Sequence, residues 1–216
     1  MIISGAALAL NANATIRRVG PARQYTSIQA AVDAAKDGDV ILLDKGTYQG
    51  GIHIRKWVSI VGGTGHPEDV IIFDNESGQY TCLHYELTSD FNSTIYIDSI
   101  KFIGKNSSTG LNIHFLRSTG AGILHINNSI LTKSSSGAAF GYLRGKNLSV
   151  HTSYSHIYGS YYLYWDLDSS RFSYEKTICP LSGATGDYVT QPTPGYGPEY
   201  GQRVGFRAEG PVVNGR

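Results

Sequence analysis

The sequence has few charged residues. Asp, Glu, Lys and Arg make up 16% of its 216 residues, against about 25% in a typical soluble domain. The formal net charge is only +1, and Lys and Arg do not cluster in runs, so the attraction that dominates nucleic-acid binding is missing. No apolar stretch reaches the roughly 18 residues that cross a bilayer. We therefore expect neither a nucleic-acid partner nor a membrane span.

Cysteine is also scarce. Cys82 and Cys179 lie far apart, and neither belongs to a Cys-x-x-Cys pair or to a cluster with metal spacing. We expect two free buried thiols. Two positions alone leave a single disulfide open.

The histidines show no metal-ligand spacing. Five of them fall in different predicted strands or corners: His84, His114, His125, His151 and His156. They form no i, i+4 pair and no Glu-x-x-His motif, so neither a metal nor another cofactor is predicted. His125 and His151 follow similar local patterns, and we expect them to stack as structural neighbours.

Glycine and tyrosine are abundant instead, with 26 and 15 residues, which favours strands and tight turns over helices. One amphipathic helix is indicated from Ile28 to Ala35, with Thr26 and Gln29 as a capping box and Gly38 as its end. Ten strand-like runs follow it: Val40–Leu43, Ile52–Ile54, Val58–Val61, Val70–Phe73, Cys82–Leu87, Thr94–Phe102, Leu111–Leu116, Ile123–Leu131, Leu148–Val150 and Tyr161–Trp165. This pattern predicts an all-β domain.

A loose repeat points to one all-β architecture. Three segments share alternating apolar residues, a small polar corner and a second alternating run: Ile95–Phe102, Ile123–Leu131 and Leu148–Tyr154. Their corners, assigned to Ser99, Ser129 and Ser153, are about one solenoid coil apart. The repeat predicts a parallel β-helix, in which inward side chains of successive coils stack into one core.

The stretch from Gln24 to Phe102 resembles the opening coils of the pectinesterase and pectin-lyase-like superfamily. The helix, the first strand, a Gly-Thr-Tyr corner at 46–48 and a Val-Ser-Ile-Val-Gly strand at 58–62 occur in the family order. The resemblance implies a single-stranded, right-handed parallel β-helix with an N-terminal capping α-helix over its first coil.

The pectinesterase catalytic motifs do not come with this resemblance. Those enzymes share Gln-Asp-Thr, Asp-Phe-Ile-Phe-Gly and Leu-Gly-Arg-Pro-Trp stretches, and the nearest strings here are Gly137–Gly141 and Leu143–Lys146. No catalytic residue can be carried over, and a non-enzymatic role is preferred. An independent pair of acids, Asp166 and Asp168 beside Arg171, remains as a catalytic candidate, because paired carboxylates suit glycoside hydrolysis.

Aromatic residues crowd the last third of the chain too densely for a narrow coil interior, so several must lie outside. We predict an interface formed by Tyr154, Tyr158, Tyr161, Tyr162, Tyr164, Trp165, Tyr196 and Tyr200. Sugar stacking and packing against the C-terminal segment are the alternatives. Five Asn-x-Ser/Thr triplets, at Asn75, Asn92, Asn106, Asn127 and Asn147, are interpreted as corner composition rather than glycosylation sites.

The chain is divided into a β-helix domain at 21–180, an N-terminal arm at 1–20 and an extended Pro/Gly/Tyr-rich arm at 181–216. The N-terminal segment is signal-like but lacks a positive n-region, so an arm is preferred. By architecture, armed β-helices resemble phage tailspikes, fibres and capsid decoration proteins, commonly homotrimers. This implies a structural virion subunit that binds its own copies and a capsid or tail protein. The alternative is a secreted carbohydrate-active protein or a non-catalytic glycan-binding module.

Overall fold

The computed structural model describes residues 13–73, 81–87, 94–104, 109–115, 122–133, 140–144, 148–157 and 171–175. These residues form one α-helix, a short 3₁₀ turn at Pro67–Asp69 and three sheets in which every strand pairing is parallel. Sheet A comprises β1 (Ile16–Val19), β2 (Val40–Leu43), β5 (Ser59–Gly62), β8 (Thr94–Asp98), β11 (Gly122–Asn127), β14 (Leu148–Ser153) and β16 (Arg171–Glu175). Sheet B comprises β3 (Gly46–Gln49), β6 (Val70–Phe73), β9 (Lys101–Gly104), β12 (Ile130–Lys133) and β15 (His156–Ile157). Sheet C comprises β4 (Ile52–Ile54), β7 (Thr81–Leu87), β10 (Thr109–Phe115) and β13 (Phe140–Arg144).

The chain visits the three sheets in rotation. From β2 to β13, every strand of sheet A is followed by one of sheet B and then one of sheet C. Each round is one coil, and successive coils pair strand on strand, as Val40 does with Ser59. Parallel strands stacked in this rotation are the arrangement of a parallel β-helix, which confirms the predicted all-β class.

Apolar side chains pack in rows that run from coil to coil. On sheet A, Ile60 pairs with Ile97 and Ile97 with Ile126, and all three are fully buried. Each contributes about 1.5–3 kcal/mol by leaving water. Sheet C places Tyr85 in the same core, where its hydroxyl donates a hydrogen bond to the Val58 carbonyl at 2.9 Å. The predicted inward stacking of alternating apolar residues is confirmed.

Helix α1 (Ile28–Ala34) packs against the first coil. Ser27 caps its N-terminus, because the Ser27 Oγ accepts a hydrogen bond from the Ala30 N–H at 3.3 Å. The predicted cap at Thr26 is therefore wrong by one residue. The helix turns an apolar face toward β1, β2 and β4, and this face contains Ile28, Ala31 and Val32.

The predicted capping-box role of Gln29 is also wrong, because its amide pairs with strand β4. Its Oε1 accepts from the His53 N–H at 2.9 Å, and its Nε2 donates to the His53 carbonyl at 3.1 Å. Strand β4 is the terminal strand of sheet C, and a terminal strand presents backbone groups without a neighbouring strand. Gln29 satisfies two of them.

The corner between sheets A and B is two residues long in three successive coils. Its first residue has left-handed backbone, with φ of 58° at Ser99, 42° at Asn128 and 48° at Tyr154. The predicted corner at Ser99 is confirmed, whereas Ser129 and Ser153 each lie one position from the residue that turns. The alternation of apolar residues shows that a corner occurs but does not show which residue has positive φ.

In the last two of these corners the second residue is a buried serine, and the two serines form a ladder. The Ser129 Oγ accepts from the Ile100 N–H at 3.4 Å and donates to the Asn127 carbonyl at 2.7 Å. One coil later the Ser155 Oγ accepts from the Ser129 N–H at 3.1 Å. These hydroxyls satisfy buried backbone groups that the sheets leave at each bend.

Five strands have no counterpart in the sequence prediction: β1, β3, β13, β15 and β16. Strand β1 lies within residues 1–20, the predicted arm, and pairs with β2. Its two central residues, Arg17 and Arg18, interrupt the apolar alternation that identifies the other strands. Strand β3 contains the Gly-Thr-Tyr stretch, which was assigned to a corner and instead pairs with β6.

Candidate functional site

Tyr96, His125 and His151 stack in a row on the outer face of sheet A, which we call the ring ladder. His125 pairs in register with Tyr96 on one side and His151 on the other. Ring centroids are 5.1 Å apart at both steps, with interplanar angles of 12° and 23°. Because parallel strands lie about 4.8 Å apart, equivalent positions on neighbouring strands bring such rings into contact. The predicted stacking of His125 and His151 is confirmed, and Tyr96 extends it by one coil.

A polar row flanks the ring ladder. Asp98 pairs with Asn127, and Asn127 with Ser153. The Ser153 Oγ donates to the Asn127 Oδ1 at 2.8 Å, and the Ser99 Oγ donates to the Asp98 Oδ1 at 2.5 Å. Asn127 is buried as well as bonded, which agrees with the structural interpretation of its Asn-x-Ser triplet.

Within the ring ladder, protonation of His125 is unfavourable. Burial lowers the pKa of His125 below its ordinary value of 6.5, and the charge of the neighbouring His151 lowers that pKa further. Between its folded-state pKa and 6.5, the unfolded chain binds more protons than the folded chain does. The His125 contribution to stability is therefore present above pH 6.5 and is lost as the pH falls through the folded-state pKa.

We expect the His125 imidazole to titrate below 6.5 in the folded protein, as measured by NMR of its ring carbons. In His151→Gln the His125 pKa should rise, because the neighbouring positive charge is gone, yet stay below 6.5, because burial remains. A His125 pKa that is the same in both proteins would show that the two rings do not interact. His66→Gln is the control, since His66 lies in an exposed turn away from the ladder.

Charged side chains outside the core are joined across coils, and we call these contacts the inter-coil ion pairs. Their N–O distances lie between 2.5 and 3.0 Å: Arg17–Asp39, Arg18–Asp44, Arg23–Asp44, Lys45–Asp69, His53–Glu86, Arg55–Glu86 and Lys101–Glu68. The hydrogen-bonded pairs join residues from 21 to 33 positions apart, which is about one coil. Each pair therefore links one coil to the next.

These contacts hold their acids in the ionised form. Burial pushes the pKa of Asp39 and Asp44 upward, but hydrogen bonds from backbone N–H groups and arginines outweigh it and lower both pKa values. The pKa values of Asp69 and Glu86 are lowered chiefly by the hydrogen bond from the paired lysine or arginine. Four acids of the inter-coil ion pairs are thus kept as carboxylates.

The outer face of sheet C carries a second group of titratable residues, which we call the sheet C cluster: His53, Arg55, His84 and Glu86. The Glu86 Oε2 lies 3.0 Å from both the His53 Nε2 and the Arg55 Nε. The His53 and His84 rings are register partners with centroids 4.9 Å apart. The sequence analysis missed this cluster, because it depends on which residues of β4 and β7 face each other.

Only some of the predicted site residues lie among the described residues. Tyr154 is 56% exposed at a left-handed corner. Arg171 begins β16 and pairs with Ser149. Cys82 is fully buried, as predicted. The remaining predicted residues lie outside the described residues: Asp166, Asp168, Tyr158, Tyr161, Tyr162, Tyr164, Trp165, Cys179, Tyr196 and Tyr200.

The described residues lack two further kinds of functional feature. Among residues 13–157 and 171–175, apart from the gaps given above, no group of three or more His, Cys, Asp or Glu side chains is arranged to hold a metal. The same part of the chain has no helix that combines the length and apolarity of a membrane span.

Comparison with known proteins gave two structural likenesses. No family model and no curated protein sequence matches the chain. Two crystal structures of the pectin methylesterase from Aspergillus niger, in deglycosylated and penultimately deglycosylated form, align with 15% and 16% identity and TM-scores of 0.40 and 0.39. Each alignment covers 76% of this chain, which spans 60% of the length of the esterase. The fold assignment rests on the three sheets themselves.

Proposed function

We propose that this chain is a non-enzymatic structural subunit of a virion or a similar assembly, of the tailspike, fibre or capsid decoration kind. The observation that carries the proposal is the set of inter-coil ion pairs. Charged groups of the described outer surface tie coil to coil, which stiffens a rod along its axis. A rigid rod is what an assembly requires of a shaft or platform.

The proposal includes a single right-handed parallel β-helix. Strands that rotate through three sheets are joined by crossover connections, and parallel crossovers are right-handed in about 98% of cases. The strands of the described coils all belong to sheets A, B and C. One continuous stack of coils would then begin with β1 at Ile16 and extend to about residue 180.

Four described acids are used in ion pairs between coils, as a scaffold role requires. Glycoside hydrolysis needs one carboxyl with a raised pKa, which remains protonated to act as the general acid. Asp39, Asp44, Asp69 and Glu86 have lowered pKa values instead. Each is also occupied by a cation of a neighbouring coil, so these four are suited to pairing rather than proton donation.

We place the contacts with other subunits on the part of residues 1–20 that precedes β1, on the C-terminal arm at 181–216, and on the tyrosine-rich segment. The partners are identical copies, with a homotrimer favoured, and a capsid or tail protein of the same particle. Tyr154 suits such a contact, because a large ring with a polar tip is 56% exposed at a corner. The location that follows is the virion.

The wild-type protein is expected to have a solution mass of three 23.4 kDa chains, measured by light scattering. The double variant Tyr161→Ser, Tyr162→Ser should lower that mass and leave the circular dichroism spectrum unchanged, because a contact is lost but the core is not. Tyr96→Ser is the matched control, since it removes a tyrosine from sheet A. A monomeric wild type, or a double variant with wild-type mass, would count against the assembly role.

The ring ladder supports a second candidate, a secreted carbohydrate-binding protein or a carbohydrate-active enzyme. Stacked aromatic and imidazole faces along a β-helix offer a surface on which sugar rings can lie. Incubation with pectin, alginate and bacterial surface polysaccharides distinguishes a binding protein from an enzyme. Binding without cleavage that Tyr96→Ala abolishes supports a binding module, whereas cleavage abolished by Asp166→Asn supports an enzyme.

A further inference from the structure

The outer face of sheet A changes character from one coil to the next. In β8, β11 and β14 it carries the ring ladder and the polar row, whereas in β2 and β5 the same rows hold Val40, Leu42 and Val61. These three side chains form an apolar cluster of their own, which we call the outer apolar patch. They point away from the core, because their chain neighbours Ile41 and Ile60 point into it.

The outer apolar patch is buried although it lies outside the coils. Val40, Leu42 and Val61 are 3%, 1% and 0% exposed. The burial stops at the next strand, because Ile16, the partner of Val40 on β1, is 42% exposed. A parallel strand that is apolar on both faces needs a covering layer on both. Helix α1 is not this layer, since its buried side chains belong to the core cluster.

The segment that precedes the described residues suits this layer. It contains no charged residue and five large apolar side chains: Met1, Ile2, Ile3, Leu8 and Leu10. Its point of attachment is close, because the Thr15 carbonyl accepts a hydrogen bond from the Val40 N–H at 3.0 Å. A chain spans about 3.3–3.6 Å per residue, so a few residues are enough to cross strands that lie about 4.8 Å apart.

The C-terminal arm is less suited to the same position. It follows β16, which lies five strands from β2 in sheet A, a distance of about 24 Å. The first half of the arm is rich in Gly, Pro, Thr and Tyr, a composition that buries little apolar surface. Proximity and composition therefore both select the N-terminal segment.

We propose that the outer apolar patch is a docking surface for residues 1–12 of the same chain. The segment acts as a strap that keeps the apolar outer face of β2 and β5 from water. Its own outer side stays free for the contacts with other subunits proposed above. The inference does not rest on the proposed function, because an isolated chain needs the same cover.

A thiol placed in the patch of the full chain reports whether the patch is covered. Val61→Cys should react slowly with a maleimide, and peptide mass spectrometry separates its label from any on Cys82 or Cys179. Adding Leu8→Ser and Leu10→Ser should raise the labelling rate at position 61 by about tenfold or more, because a polar segment no longer stays on an apolar surface. Ile60→Cys is the matched control, since Ile60 points into the core and its position should stay protected.

Four results would overturn the proposal. The first is an unchanged labelling rate at position 61 when Leu8 and Leu10 are replaced. The second is a rise caused instead by Val204→Ser and Phe206→Ser, which would assign the cover to the C-terminal arm. The third is an equal rise at positions 60 and 61, which would place the contacts of the segment in the core.

The fourth is protection at position 61 that is lost on dilution, because the cover would then come from a neighbouring copy. The solution mass of the protein, which tests the proposed function, is a separate measurement. A monomeric protein with a protected thiol at position 61 would contradict the assembly role and leave the strap in place.

Discussion

Replacement of Asp39 by Ala is expected to lower the free energy of unfolding by about 3–5 kcal/mol, the cost of removing one partner of a buried ion pair. The Asp39 side chain is 4% exposed. Its carboxylate accepts hydrogen bonds from the Thr15 N–H at 2.9 Å, the Lys36 N–H at 2.9 Å and the Arg17 Nε at 3.0 Å. One side chain therefore joins the start of β1, the segment after α1 and the approach to β2.

Urea denaturation measures this effect, with Asp69→Ala as the control. Asp69 pairs with an exposed lysine at the protein surface, and its loss should change the unfolding midpoint little. Equal destabilisation by the two substitutions would show that Asp39 is one more surface charge. A further signature is the pH dependence. The folded-state pKa of Asp39 lies below 3.8, so its contribution is present above pH 3.8 and is lost as the pH falls through the folded-state value.

Gly62→Ala is expected to destabilise the protein by about 3 kcal/mol, the upper end for forcing extra atoms into a packed site. A Cβ on Gly62 would lie 2.1 Å from the backbone carbonyl oxygen of Ser99 and 3.2 Å from a methyl group of Val70. The carbonyl belongs to a corner with left-handed backbone, so it cannot withdraw without disturbing that corner. The coil of β5 must separate from the coil of β8 instead.

Gly46→Ala, in the preceding coil, provides a control. Its Cβ would meet the Tyr48 ring at 3.7 Å, an ordinary van der Waals contact. We expect this substitution to be neutral or slightly stabilising, because alanine restricts the unfolded chain more than glycine does. Thermal unfolding of both variants tests the comparison. Similar melting temperatures would mean that the close approach at Gly62 is relieved at no cost.

The alternation of apolar residues predicted most of the strands but not how they align. Strands β2, β4 and β6 match their predicted bounds, because each is a short apolar run between turn residues. Strand β1 was missed, since two arginines occupy its centre. Its pairing with β2 is favourable because Arg17 forms an ion pair with Asp39 and because β1 pairs with the edge of β2.

The candidate sites depended on register, which varies along this chain. Hydrogen bonds that join equivalent positions of adjacent coils span 26, 29 and 37 residues. Without a constant period, sequence spacing does not reveal that Tyr96 meets His125 or that His53 meets His84. The His125–His151 contact was predictable because both residues lie close to a recognisable corner. The acids of the inter-coil ion pairs lie in turns and strands. Their cationic partners come close only when the coils are folded.

The bond between Gln29 and strand β4 has a consequence for how chains of this kind can join. Its amide fills the positions that an incoming strand would use to extend sheet C past its first member. Growth by adding one molecule's strands to another's at this end would require the helix to lift away. The edge of sheet C at β4 is therefore closed to the addition of another strand.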